Sequence, residues 1–124
     1  MPLTNAGQYP PSEALLKTSH DDPKATYLIF YSDVEGGKMW CPHCRDVEGL
    51  LRSNFEGKSK PHGVITYIGP YSGWKNVPTH PARIKYGVRT VPAIIKFDST
   101  GKELDRVDKS GILDSARFEE FLES

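Results

Sequence analysis

The chain has 124 residues, 37% hydrophobic and 26% charged, enough for one domain of ordinary size around a single core and too few for two. Sixteen Lys and Arg offset sixteen Asp and Glu, so the formal charge is zero and nothing in it points to a nucleic acid or an anionic membrane surface. The longest apolar run, Tyr27-Leu28-Ile29-Phe30-Tyr31, falls far short of the roughly 20 residues that span a bilayer, and no basic segment followed by an apolar stretch opens the sequence. The expectation is a cytoplasmic monomer.

Residues 1–11 carry Pro2, Gly7, Pro10 and Pro11 and read as an irregular tail, leaving 12–124 as the domain. Ser12 is a candidate N-cap for a short helix over Glu13 to Thr18, ended by His20-Asp21-Asp22-Pro23. Thr26 to Ser32 is apolar, aromatic and β-branched without strict alternation, the pattern of a central strand buried on both faces. An exposed loop, Asp33 to Lys38, leads into Met39-Trp40-Cys41-Pro42-His43-Cys44, and Val47, Leu50, Leu51 and Phe55 then space out the apolar face of a helix to about Asn54. Gly49 inside that helix costs roughly 1 kcal/mol against alanine.

Gly57 and Pro61 break the chain before Val64 to Gly69, a second buried strand that a right-handed crossover sets parallel to the first. Pro70 to Pro78 is a long loop, and Thr79 with Pro81 opens a helix through Tyr86 that Gly87 closes. Val88 to Phe97 predicts a strand with Pro92 near its start; Asp98-Ser99-Thr100-Gly101 turns it into an antiparallel partner over Glu103 to Asp108. Asp114 or Ser115 caps a last helix bearing Phe118, Phe121 and Leu122 on one face. The order β-α-β, α, β-β, α makes an α/β domain with a central mixed sheet flanked by helices.

The two cysteines, Cys41 and Cys44, are the only ones in the chain. As a structural staple they would do little, because the entropy a disulfide removes grows with loop length and this loop is very short. A zinc site needs four ligands, and histidines at 20, 43, 62 and 80 offer no compact second pair, so no metal is expected. If a helix begins at or just after Cys41, the two sulfurs lie one turn apart and can close into a reversible disulfide. A Cys-x-x-Cys beside a β-α-β pattern reads as a thioredoxin-like redox motif.

Trp40-Cys41-Pro42-His43-Cys44 resembles the thioredoxin active site, and Tyr86-Gly87-Val88-Arg89-Thr90-Val91-Pro92-Ala93 resembles the segment carrying that fold's cis-proline. A closer resemblance is to the thioredoxin-domain-containing protein 17 family. Gly36-Gly37-Lys38-x-Trp40-Cys41-Pro42-x-Cys44 carries it, with Glu48, Tyr71, Trp74-Lys75 and Val91-Pro92-Ala93-Ile94-Ile95-Lys96, over roughly residues 12 to 123. The resemblance implies a thioredoxin fold and a cytosolic disulfide reductase that has no cofactor beyond its Cys41-Cys44 disulfide, is itself reduced by a thioredoxin reductase, and acts on disulfide-containing proteins or small thiols. Three positions depart from the pattern. His43 replaces the usual aspartate, as in oxidising members of the superfamily; Phe30 stands where thioredoxin has a buried aspartate; Gly49 stands where the family often has proline.

Within that frame Cys41 is the nucleophile, exposed at a helix N-terminus whose amides and macrodipole favour a thiolate. Cys44 is the buried resolving thiol, and a partly protonated His43, following Pro42, would tune the thiolate toward an oxidising potential. Val91 before Pro92 offers backbone for pairing with an extended substrate. Trp40 and Trp74 read as either core aromatics or substrate platforms. Glu48 reads as a surface charge pairing with Arg52 or, with the buried aspartate missing, as the proton acceptor for Cys44. His20, His62 and His80 read as surface residues. A non-catalytic thioredoxin-fold adaptor and a disulfide oxidase or isomerase remain alternatives.

Overall fold

A computed structural model describes residues 3–11, 25–56, 61–98 and 100–123. The short helix expected over 13–18 lies outside the described residues. At the centre is β2 (Thr26–Tyr31), with all six residues buried. Packing on both faces is why its sequence does not alternate. It runs parallel to β5 (His62–Tyr67), with Leu28 opposite Val64, and antiparallel to β6 (Ala93–Phe97), with Leu28 opposite Ile95. With β1 (Leu3–Gln8) and β7 (Glu103–Asp108) the five strands lie in the order β1-β5-β2-β6-β7.

The tail expected over residues 1–11 is corrected by β1, which pairs parallel with β5, Leu3 opposite Gly63 and Asn5 opposite Ile65. Its polar, glycine-containing sequence has little strand propensity of its own, and the open edge of β5 supplies the ladder. Gly63 is where this edge is tightest: a Cβ there would lie 3.0 Å from Phe55 Cδ1 and 3.2 Å from Leu3 Cδ1.

The helix α1 (Pro42–Phe55) buries Cys44, Val47, Leu51 and Phe55 at spacings of three and four, the stripe of an amphipathic helix. Leu50, counted with that face in the sequence, is 38% exposed. Phe30, Leu51, Phe55 and Phe121 form the centre of the core at 0–1% exposure. Truncating Leu51 to alanine there costs about 2–5 kcal/mol.

The remaining differences are local. The loop before the cysteines folds into a ribbon, β3 (Val34–Glu35) with β4 (Lys38–Met39), through Gly36 and Gly37 at φ +64° and +87°. Two consecutive positive φ values are what a tight hairpin turn demands, and glycine adopts them without strain. The long loop contains α2 (Tyr71–Trp74), followed by α3 (Pro81–Tyr86). The cap of α3 is His80, not Thr79: Nδ1 accepts from the Ala82 amide at 3.0 Å while Nε2 faces the Ile68 carbonyl at 2.6 Å, so this histidine is half-buried and structural. Strand β6 starts only after Pro92. The last helix is two, α4 (Lys109–Leu113) capped by Asp108 and α5 (Ser115–Leu122) capped by Asp114. No helix among the described residues is long and apolar enough to cross a membrane.

Candidate active site

Cys41 is the N-cap of α1, with φ −89° and ψ 114°, and its carbonyl accepts from the Cys44 and Arg45 amides at 3.1 and 3.3 Å. Pro42 follows as the first helical residue, where its missing N–H costs nothing. No acidic residue occupies the first turn, so the unpaired amides there face no competing negative charge when Cys41 ionises. Cys41 is less open than its sequence setting implies, at 6% exposed, and Cys44 is at 0%. Both are reduced thiols.

The loop before the motif is anchored by Asp33. Its Oδ1 accepts from the Gly69 amide at 2.9 Å and from Gln8 Nε2 at 3.0 Å, and its carbonyl accepts from the Trp40 amide at 3.0 Å. Gln8 lies at the end of β1, so the strand hidden in the apparent tail helps to fix the approach to the cysteines. On the other side, the Val91–Pro92 peptide is cis, and the Cys41 thiol donates to the Val91 carbonyl at 3.5 Å. The cysteine pair and the Val91 backbone therefore share one surface.

Burial pushes the Cys44 thiol up to about 12 from an ordinary 9.0; the Ser32 amide and hydroxyl pull it down, and the neighbouring Cys41 pushes it further up. Ser32 is at 0% exposure, and its Oγ accepts from the Cys41 amide at 3.1 Å. It was not singled out in the sequence, where it closes an apolar run as an ordinary polar residue. A hydroxyl at the end of a fully buried strand, just before a motif-bearing loop, is the signal that could have found it.

A chain with this fold and this cysteine pair can be placed among known proteins. Residues 5–124 match the family model of the thioredoxin domain-containing protein 17-like thioredoxin domain. The chain belongs to this family. Solved structures similar to the thioredoxin domain-containing protein 17-like chain include a thioredoxin of Fasciola hepatica, at a TM-score of 0.64 and 14% identity over 97% of this chain and 99% of that one. A thioredoxin of Trichomonas vaginalis is similar at 0.61 and 20% identity, covering 98% and 95%. At these identities the likeness establishes the fold. A thiol:disulfide interchange protein DsbD of Photorhabdus laumondii is 29% identical over 112 residues, covering 90% of this chain but only 18% of that protein. The molecule is thus a thioredoxin-fold domain carrying a Cys-x-x-Cys pair.

The other expected site residues divide. Trp40 lies half-buried at the rim, its Nε1 donating to the Gly69 carbonyl at 3.0 Å and its ring edge-on to Tyr71 at 5.2 Å. Trp74 is 5% exposed, packed edge-on to His80 at 4.9 Å with the Arg83 guanidinium 3.8 Å over its ring. It packs beneath the loop and does not form a substrate platform; the exposed aromatic beside Trp40 is Tyr71, at 46%.

His43 is exposed, and its Nδ1 lies 2.7 Å from Lys109 Nζ, which also reaches Asp46 at 3.0 Å. An ammonium only donates, so in this contact Nδ1 stands as the acceptor, and Lys109 brings a positive charge to the rim beside His43. Glu48 does not pair with Arg52, which instead meets Glu56 at 3.7 Å. Glu48 is exposed beside a cavity of about 120 Å³ shared with Tyr31, Arg52 and Tyr67, and its charge adds to burial in raising the Tyr31 phenol.

A groove of about 460 Å³ runs beside the cysteines between His43, Val91, Lys109 and Leu113, the last 52% exposed. Neither space is lined by a cysteine, but the smaller groove includes Val91, whose carbonyl meets the Cys41 thiol, whereas the larger cavity, about 680 Å³, is bordered by Arg89, Arg106 and Arg117. Chemistry locates the site at the smaller groove.

Proposed function

We propose that this protein is a disulfide reductase of the cytosol, acting as a monomer on disulfide-bonded proteins or small disulfides and drawing its electrons from a thioredoxin reductase. The observation that carries the reading is the division between the two sulfurs. Cys41 caps a helix N-terminus beside the Val91 backbone, and Cys44 lies fully buried one turn inside. Cys41 thiolate attacks one sulfur of a substrate disulfide, whose other sulfur leaves as a thiolate; Cys44 then attacks Cys41, the mixed disulfide breaks, and the substrate departs with two electrons and two protons gained. An extended substrate segment would pair with Val91 in the groove lined by Leu113 and Lys109. Trp40, next to Cys41 in the chain, and the exposed Tyr71 packed edge-on against it offer the substrate an aromatic contact.

Reduction of insulin or cystine, supplied with a thioredoxin reductase and its reductant, tests the reading. Turnover that disappears in both Cys41→Ser and Cys44→Ser supports it. Absence of turnover in the intact protein leaves the adaptor as the better account. One observation favours net oxidation as a second reading: the Lys109 ammonium beside His43 would stabilise a thiolate at Cys41, and with it the reduced form.

A further inference from the structure

Pairing with an extended substrate needs the Val91 backbone held at one place and angle, yet the residues around it belong to no regular element. Helix α3 ends at Tyr86, β6 begins at Ala93, and the backbone from Arg89 to Pro92 joins no ladder. Among the described residues two hydrogen bonds reach it. The Cys41 thiol donates to the Val91 carbonyl at 3.5 Å, and Arg83 Nη1 donates to the Arg89 carbonyl at 2.9 Å. The first is lost whenever Cys41 ionises or joins a mixed disulfide, because the sulfur then has no proton to donate. The second remains. Arg83 is itself fixed: its guanidinium lies 3.8 Å over the Trp74 ring, and its Nη2 donates to the Trp74 carbonyl at 3.0 Å. A planar fork stacked on an aromatic face has its direction set beforehand and loses little freedom in holding a carbonyl. Its Nε is buried with no partner among the described residues, a cost that a guanidinium left in water would not carry.

We infer that Arg83 is a positioning residue for the substrate: stacked on Trp74, it holds the Arg89 carbonyl and thereby presents the Val91 backbone to an extended, disulfide-bonded segment. This rests on the disulfide reductase reading and adds to it a residue outside the cysteine groove. Two residues of chain span at most about 7 Å, and the side chains of Val88 and Val91 are buried at 2% and 5% exposed, so a displacement of Arg89 reaches Val91 with little slack. The loop from Pro70 to Pro78 thus acts on substrate choice at one remove. Its Trp74 is covered by packing, and the guanidinium on its face carries its position to the pairing segment. A substrate that presents peptide backbone feels this arrangement; a small disulfide without peptide groups does not. Preorganisation of this kind raises affinity by populating the arrangement that binds, without a new contact to the substrate.

The test compares two disulfides in single turnover with the whole reduced protein, quenched in acid and resolved by mass spectrometry. One is an unstructured peptide dimer joined through its cysteines; the other is hydroxyethyl disulfide, which has no peptide bond. Arg83→Met keeps an apolar stem over Trp74 and removes the fork, and Arg83→Lys keeps the charge on a single nitrogen that cannot serve both carbonyls in one plane. In both variants the rate with the peptide should fall about fivefold, as it does when the binding-competent arrangement drops to about one molecule in five, while hydroxyethyl disulfide and iodoacetamide react with Cys41 within about twofold of the intact protein. Thermal unfolding shows which variant is folded, and either one suffices. Equal slowing with the two disulfides, or a peptide rate that does not fall relative to the small disulfide, overturns the inference. An intact protein that reduces neither disulfide overturns instead the reductase reading on which it rests.

Discussion

Alkylation of the reduced, folded protein near pH 7 should label Cys41 long before Cys44, and the difference should come from ionisation and not from access. Both thiols are nearly closed to solvent, at 6% and 0% exposed, so accessibility alone separates them weakly. A thiol pushed up to about 12 is thiolate to about one part in 100,000 at neutral pH, whereas the ordinary 9.0 gives about one part in 100. Cys44 therefore presents roughly a thousandfold less nucleophile than an ordinary cysteine. Cys41 stands at a helix N-terminus with no acidic residue in the first turn, where unpaired amides favour a thiolate. The assay is a time course with iodoacetamide followed by peptide mass spectrometry, repeated in denaturant. In the folded protein Cys41 should be fully modified while Cys44 is untouched; in the unfolded chain the two should react at similar rates, because the desolvation that raises Cys44 is gone. Raising the pH toward 10 and above should bring Cys44 into reaction in the folded protein as well, since its thiolate fraction climbs tenfold per pH unit below its pKa. Equal labelling of the folded protein, or Cys44 labelled first, would refute the reasoning from burial.

Three further outcomes follow from the same geometry. Cys44→Ser should accumulate mixed disulfides with substrate through Cys41, visible as reductant-sensitive adducts on gels, while Cys41→Ser traps none; equal trapping by the two would dissolve their division of labour. His43→Asp places a carboxylate beside Lys109, adding negative charge near the Cys41 sulfur, and should make the reduction potential more negative by roughly 20 to 60 mV, since about 30 mV corresponds to about 1.4 kcal/mol; a redox equilibrium that stays put or moves the other way would show that charge at this position is not felt at the sulfur. Trp74→Ala should lower stability by about 3–5 kcal/mol in denaturant unfolding, as a buried aromatic does, with little change in the alkylation rate of Cys41; a large loss of reactivity without loss of stability would return Trp74 to the substrate surface.

How much of this was legible in the sequence depends on whether a feature was set locally or by a distant neighbour. The central strand, the helix after Cys41 and the hairpin of β6 and β7 carry their own patterns, and the structure has each within a few residues of the expected place. Strand β1 does not: Leu3-Thr4-Asn5-Ala6-Gly7-Gln8 looks like a tail until the unsatisfied edge of β5 is put beside it. The N-cap of α3 was misread for a similar reason, because Thr79 is the usual capping type and His80 outcompetes it through an Nδ1 whose ring is also held by the Ile68 carbonyl. At the site, the spacing of Cys41 and Cys44 and the Val91-Pro92 segment could be read directly. Lys109 and Ser32 could not, being 66 residues from His43 in one case and brought to the cysteines only by the fold in the other. Trp74 shows the converse error: a tryptophan in a loop beside Tyr71 suggests a surface, and the Arg83 guanidinium stacked on it reveals packing instead.

The central claim is that Cys41 and Cys44 form a working two-electron couple poised for reduction of substrates, and the measurement that bears on it most directly is their reduction potential in a glutathione or thioredoxin equilibrium. A single two-electron transition between about −270 and −220 mV, the range from thioredoxin to the glutathione poise of the cytosol, is the result this account predicts. A potential near about −120 mV, that of a strong thiol oxidant, or cysteines that do not exchange at all, would contradict it.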